Sequence, residues 1–315
     1  MTARPCFRLR SRGRLACAGL GLVLAATAAL VARAAPPEVV AKGLQFAEGT
    51  IFVGDTLYLV DYGASDVLRL VGGRLERVWH GDGCGANGLL QVPQGLMVAC
   101  FDGGTIETIT LAGKAVARLD KDDAGQRFES PNDLVADRRG GVYFTASGAG
   151  GAAGADGKVF YRDPAGHVRQ VAAGLAFANG VGLSPDGGEL YVTESAAGRV
   201  DAMSVSADGS LGPRRLVATL ASLLGDASQA SKAAIAPDSL RVDPAGRLYV
   251  ALYRGGGVAV IDPHGKLLQL IDVPGDHHTT LALAPDGKSI YVTAVDDTAD
   301  GYVGRLLKLP LALPR

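Results

Sequence analysis

Apolar and polar positions along this chain follow a cassette that recurs six times in one phase. Each copy enters a short apolar run, crosses a turn rich in Gly, Pro or Asp, and re-enters a run of apolar and aromatic residues. The aligned pieces read AEGTIFVGDTLYLVDY from Ala47, ANGLLQVPQGLMVACF from Ala86, PNDLVADRRGGVYFTAS from Pro131, ANGVGLSPDGGELYVTES from Ala178, PDSLRVDPAGRLYVALY from Pro237 and TTLALAPDGKSIYVTAV from Thr279. Proline fixes φ at the turn entry and Gly or Asp accepts the tight exit, so two strands face each other across each turn.

Most copies are followed by a second strand pair, as in VLRLVGGRLERVW from Val67, KVFYRDPAGHVRQVA from Lys158 and GVAVIDPHGKLLQLI from Gly257. Four short strands per unit, at intervals of about 40 to 60 residues, predict an all-β chain folded as a six-bladed β-propeller rather than a sandwich. The longest interval follows the fourth copy. There LVATLASLLGDASQASKAAIAPD from Leu216 inserts an Ala- and Leu-rich, helix-leaning stretch, which reads either as a cap over the central pocket or as a surface excursion.

The second residue of each piece is Glu48, Asn87, Asn132, Asn179, Asp238 and Thr280. In a propeller the innermost strand of every blade lines a central channel, so side chains at the start of that strand converge near the axis. A lone Asn or Asp in such a place more often caps its own turn. Six in phase, two of them acidic, point instead to a metal-containing channel. Carboxylates and amide carbonyls suit a hard cation, and the lack of Cys or paired His in these slots disfavours structural zinc. Ca²⁺ is the expected ion, with Mg²⁺, Mn²⁺ and Zn²⁺ as alternatives. Two carboxylates held about 5 Å apart at an effective dielectric of about 20 repel by roughly 3 kcal/mol, which a divalent cation reverses.

With 48% hydrophobic and 20% charged residues and a net charge of -1, the chain has the composition of a globular protein, and its charge pattern offers nothing to nucleic acid. Its first residues differ: Arg4, Arg8, Arg10, Arg12 and Arg14 lead into LACAGLGLVLAATAALVA, and Ala32-Arg33-Ala34 supplies small residues for a signal peptidase. Residues 1–34 therefore read as a signal peptide, with an uncleaved membrane anchor as the alternative. Residues 35–315 are expected to form a single propeller, monomeric, free of the membrane and periplasmic or secreted. Cys84 and Cys100 are then the only remaining cysteines, either joined in an oxidising compartment or left as two buried thiols.

These motifs carry a resemblance. The chain resembles the senescence marker protein (regucalcin) and gluconolactonase family of six-bladed propellers through AEG at Ala47, SPND at Ser130, ANG at Ala178 followed by LSPDG and LYV, PDSL at Pro237 and GGGVAVIDPHGKLL at Gly255. The resemblance implies that Glu48, Asn179 and Asp238 are metal ligands, that Asn132 is a fourth polar group at the metal or substrate, and that Asp238 accepts a proton. Thr50, Ser239, Ala146-Ser147 and Thr280 depart from the family pattern and bear on the choice of substrate.

The expected function is hydrolysis of a small-molecule lactone or related ester with a divalent cation. A non-catalytic ligand- or protein-binding propeller and a phosphotriesterase-like hydrolase on the same scaffold are the alternatives. Lesser candidates are His277 and His278, as rim acid-base groups or an exposed loop pair, and Tyr253-Arg254, as a solvated loop or a contact for an anionic substrate. Glu194 and Asp61 fall at equivalent strand ends, where they read either as supporting hydrogen-bond acceptors or as solvated carboxylates. No Ser-His-Asp elbow and no phosphate loop is present in the sequence; GGGV at Gly255 reads as a turn.

Overall fold

A computed structural model describes residues 36–150, 154–225 and 235–311. The leader expected over residues 1–34 lies outside them. The described strands form six sheets of four strands, five of them running in chain order from an innermost to an outermost strand. The inner strands are Ala47–Val53, Ala86–Val92, Pro131–Ala136, Ala178–Leu183, Ala236–Val242 and His277–Leu283, one to each of blades 1 to 6.

The second strands explain why the pattern holds. Gly95–Cys100 and Val142–Ala146 are buried at every position, because each blade is covered on both faces by its neighbours. Successive side chains serve opposite wedges. In blade 4, Leu190 and Val192 pack with Tyr143 of blade 3, while Tyr191 between them packs with Leu240 and Val250 of blade 5. Six such apolar clusters, one per pair of adjacent blades, make up the core.

The ring closes through a strand outside the six cassettes. Glu38–Leu44 pairs antiparallel with Gly301–Pro310 and becomes the outermost strand of blade 6, its Leu44 packing with Ala47 and Leu57 of blade 1. Both ends of the described chain thus meet in one sheet, which removes the open edge between first and last blades.

The first part of the insertion is not a cap, although Ile235 at its far end lines the axial cavity. Arg215–Thr219 is the outer strand of blade 4, and Leu220–Leu224 is a short helix held by reciprocal bonds between Thr219 and Ser222. Leu220 and Leu223 are buried in the wedge between blades 4 and 5. Residues 226–234 lie outside the described part of the chain. Of the two readings for the cysteines, the disulfide is the one realised: Cys84 and Cys100 are joined across a separation of 16 residues, with Cα atoms 4.5 Å apart.

Candidate functional site

Each inner strand begins with a register shift. In blade 4, Ala178 pairs with Glu194 and Val181 with Val192, so Asn179 and Gly180 together oppose Thr193. Blades 2, 3 and 5 repeat this with Asn87-Gly88, Asn132-Asp133 and Asp238-Ser239; blade 1 places its shift between Glu48 and Ile51. Such a bulge re-aims one side chain without breaking the sheet. In blade 6, His278 pairs with Ala294 and Leu281 with Val292, so the residue in register with Asn179 and Asp238 is Thr279. Thr280, expected in the ring from the sequence, is one position further. The pairing of the strands, not their composition, decides between two adjacent threonines.

The glycines that follow the slot residues have a steric cause. A Cβ at Gly49 would lie 2.2 Å from the Asn87 carbonyl oxygen, and one at Gly88 would lie 2.2 Å from that of Asn132. Neighbouring inner strands approach too closely there for any side chain. Blades 3 and 5 carry Asp133 and Ser239 at this position instead, and both side chains enter the channel: Ser239 Oγ is 3.4 Å from Asp133 Oδ2.

Glu48, Asn87, Asn132, Asn179 and Asp238 line one cavity of about 640 Å³ at the end of the channel. Hydroxyls from one blade fix the backbone of the next: Thr145 Oγ1 donates to Asn179 O at 2.5 Å and Thr193 Oγ1 to Asp238 O at 2.7 Å. A second chain of bonds sets the Asn132 amide. Asn87 Nδ2 donates to Asn132 Oδ1 and Asn132 Nδ2 to Ser147 Oγ, each at 3.2 Å, while Ser147 Oγ donates to Ala178 O at 2.8 Å. With its single proton on Ala178 O, Ser147 can only accept from Asn132. Ser147, one of the departures from the family pattern, thereby turns Asn132 Oδ1 away from itself and toward Asn87.

The electrostatics are those of an unneutralised acidic pair. Burial raises the Glu48 carboxyl well above its usual range, and Asp238 and Asp133 raise it further against an opposing contribution from Arg241. Burial also pushes Asp238 up to about 8, with Asp133 adding to it and the Asn179 side chain working against it. Asn179 Oδ1 is buried without a hydrogen-bond partner, an oxygen with a lone pair to give. Among the described residues no three His, Cys, Asp or Glu side chains form a metal cage. A cation here would draw on the Asn132 and Asn179 amide oxygens as well as the Glu48 and Asp238 carboxylates, and that donor set fits a hard divalent ion.

Two charged residues in the channel went unnoticed in the sequence, Asp133 and Arg241. Their only signal was the aspartate of SPND and the arginine two places after PDS, which read equally well as turn and strand surface. The mouth of the cavity, built by Phe46, Tyr62, Phe101, Phe177, Tyr253 and Arg254 among others, was also unread except for Tyr253-Arg254.

The remaining candidates find places. Asp61 accepts hydrogen bonds from the backbone N–H of Gln45 and Phe46, and Glu194 accepts one from Ala176 N at 2.6 Å. Each strand-end carboxylate braces the loop that enters its own inner strand. His277 and His278 are neither rim catalysts nor an exposed pair. Both are buried in the inner strand of blade 6 and neither lines the cavity. His277 stacks on Tyr253 with ring centroids 4.2 Å apart and meets Asp297 through Nε2. Burial lowers the affinity of His278 for a proton. Gly255 and Gly256 do form the expected turn.

These features define a propeller with a cavity of small-molecule size over the polar end of its axial channel. The chain belongs to the SMP-30/gluconolactonase/LRE-like family, whose profile matches residues 46–296. It is 28% identical to a gluconolactonase of Zymomonas mobilis over 82% of this chain and 79% of that protein. A pentonolactonase of Haloferax volcanii is 30% identical over 59% of this chain and 61% of its own length. Among solved structures, a gluconolactonase from Xanthomonas campestris superposes with a TM-score of 0.71 at 25% identity, covering 88% of this chain and 89% of that one.

Proposed function

We propose that this protein is a divalent-cation-dependent hydrolase of lactones or related esters, with Ca²⁺ as its ion, acting in the periplasm or outside the cell. The observation that carries the reading is the pairing of two buried carboxyls, Glu48 and Asp238, both raised in pKa, with the unpartnered Asn179 Oδ1 in one cavity. The lactonase relatives support the reaction class, and the Cys84–Cys100 disulfide supports an oxidising compartment.

Glu48, Asn132, Asn179 and Asp238 would hold the ion, which would supply positive charge to polarise the substrate carbonyl. Asp238 takes the proton of a water whose oxygen attacks the carbonyl carbon. The ring C–O bond then breaks, and the leaving oxygen recovers a proton to give the hydroxy acid. Asn132, fixed by Ser147, orients the substrate oxygen.

A hydrolysis screen of aldonolactones, aliphatic lactones and aryl esters, run with chelator and then with added Ca²⁺, Mg²⁺, Mn²⁺ or Zn²⁺, tests the function. Activity should require the ion. Asp238→Asn keeps an oxygen for the cation but cannot accept the proton, so turnover should fall roughly 10²- to 10⁴-fold, whereas Glu48→Gln should weaken cation binding more than Asp238→Asn does. A protein that binds the ion yet leaves every lactone and ester intact is a binding module instead.

A further inference from the structure

We infer that the substrate is a lactone with an aromatic or otherwise apolar body rather than a polyhydroxylated sugar lactone. The inference rests on the lactonase reading above and names its substrate class.

Above the polar ring, two positions per blade build the mouth: the residue just before the slot motif and the residue facing it at the end of the second strand. Their backbones are joined, as in Tyr62 N to Phe46 O at 2.8 Å and Ser195 N to Phe177 O at 3.1 Å. In blades 1, 2 and 4 these positions place Phe46, Tyr62, Phe101 and Phe177 side by side. Ring centroids are 5.8 Å apart for Phe46 and Tyr62, 6.2 Å for Tyr62 and Phe101, and 6.3 Å for Phe101 and Phe177. Four rings in edge-to-face and tilted contact thus form one continuous wall of the cavity, each only partly buried. Aromatic surface left facing a concave site is a binding surface.

Phe177 holds its place against a backbone preference. Its φ is 60°, a conformation that is strained for a bulky residue and persists only where the surroundings impose it. The Glu194 carboxylate on Ala176 N supplies part of that constraint, and Arg199 and Arg214 each hold Glu194 at 2.8 Å. The buried Glu194 carboxylate and its two half-buried arginines thus brace the loop that carries the Phe177 ring to the cavity.

Along the four-ring wall the polar groups are already engaged: Tyr62 Oη donates to Asp102 at 2.9 Å and, beside Phe177, Ser195 Oγ donates to Pro237 O at 2.7 Å, while Tyr253 and Arg254 stand elsewhere at the mouth. A sugar lactone carries hydroxyls around its ring, and each one pressed against this wall without a partner loses the hydrogen bonds it made to water. A fused aromatic ring gains instead favourable ring contacts beyond its buried area. A cavity of about 640 Å³ has room for such a bicyclic body.

The test compares two lactones of equal ring size, 3,4-dihydrocoumarin and glucono-1,5-lactone, by pH-stat in saturating Ca²⁺ with the uncatalysed rate subtracted. The expected result is a kcat/KM at least about 10-fold higher for dihydrocoumarin. Phe101→Ser and Phe46→Ser should raise its KM several-fold while leaving the glucono-lactone values within about twofold; Phe101→Leu, which keeps the apolar surface, should fall between, and thermal melts confirm that each variant folds. Preference for glucono-lactone, or equal losses on both substrates in the Ser variants, overturns the inference and leaves the lactonase reading standing. Inertness of the wild type toward every lactone defeats both.

Discussion

Arg241 reaches from the inner strand of blade 5 to Asp133 on that of blade 3, placing its Nη1 2.7 Å from Asp133 Oδ2. Leu134 N and Ser239 Oγ also point to this carboxylate. The layer just beyond the polar ring therefore balances one negative charge with one positive, tying together strands 108 residues apart. Glu48 and Asp238 are left as the uncompensated pair, the one that the proposed cation would neutralise.

Arg241→Met should accordingly destabilise the protein by about 3–5 kcal/mol, because it leaves the Asp133 charge buried and unpaired. Adding Asp133→Asn should recover most of that loss, a coupling that urea unfolding of the two single variants and the double variant reads directly. A single variant within about 1 kcal/mol of wild type would contradict a structural ion pair.

In chelator-treated protein, Asp238 is raised from 3.8 to about 8. The folded state then binds this proton more tightly than the unfolded chain does. Its stabilising contribution is complete below about pH 4 and is lost as pH climbs through about 8. A bound cation takes the place of the proton, so the gap in Tm between Ca²⁺-loaded and chelated protein should widen over that window and level off above it. Thermal melts across pH measure the gap, and Asp238→Asn should flatten it. A gap independent of pH would mean that the cation does not compete with protons at this carboxyl.

Reducing Cys84–Cys100 opens a 16-residue loop, whose closure is worth roughly 3 kcal/mol by chain entropy. For a domain of this size that corresponds to a fall in Tm of roughly 5 °C. Cys100 directly precedes Phe101, and Cys84 lies two residues before the inner strand of blade 2, so reduction should also raise the KM for a substrate that touches Phe101. Intact mass before and after alkylation, with melts in and out of reductant, checks both effects; two thiols that alkylate without reduction would remove the bridge.

The sequence by itself determined the architecture and most of the polar ring. Strand alternation, turn chemistry and a recurring unit are local properties, written within a few residues of each other, and six in-phase copies leave little besides a six-bladed propeller. Glu48, Asn132, Asn179 and Asp238 were legible because a repeat that builds a ring must bring equivalent positions together, and the structure does place them in one cavity. Everything set by pairing across long separations had to wait for the tertiary structure. The closing strand Glu38–Leu44 has no cassette and is defined only by its partner at Gly301–Pro310. Thr279, not Thr280, stands in register with Asn179 and Asp238, because a one-residue shift in pairing moves every side chain beyond it. His277 and His278 look like polar loop residues until blades 5 and 6 close over them. The same holds for Asp133 with Arg241 and for the four-ring wall, since no local pattern records which residues of different blades will face one another across an axis.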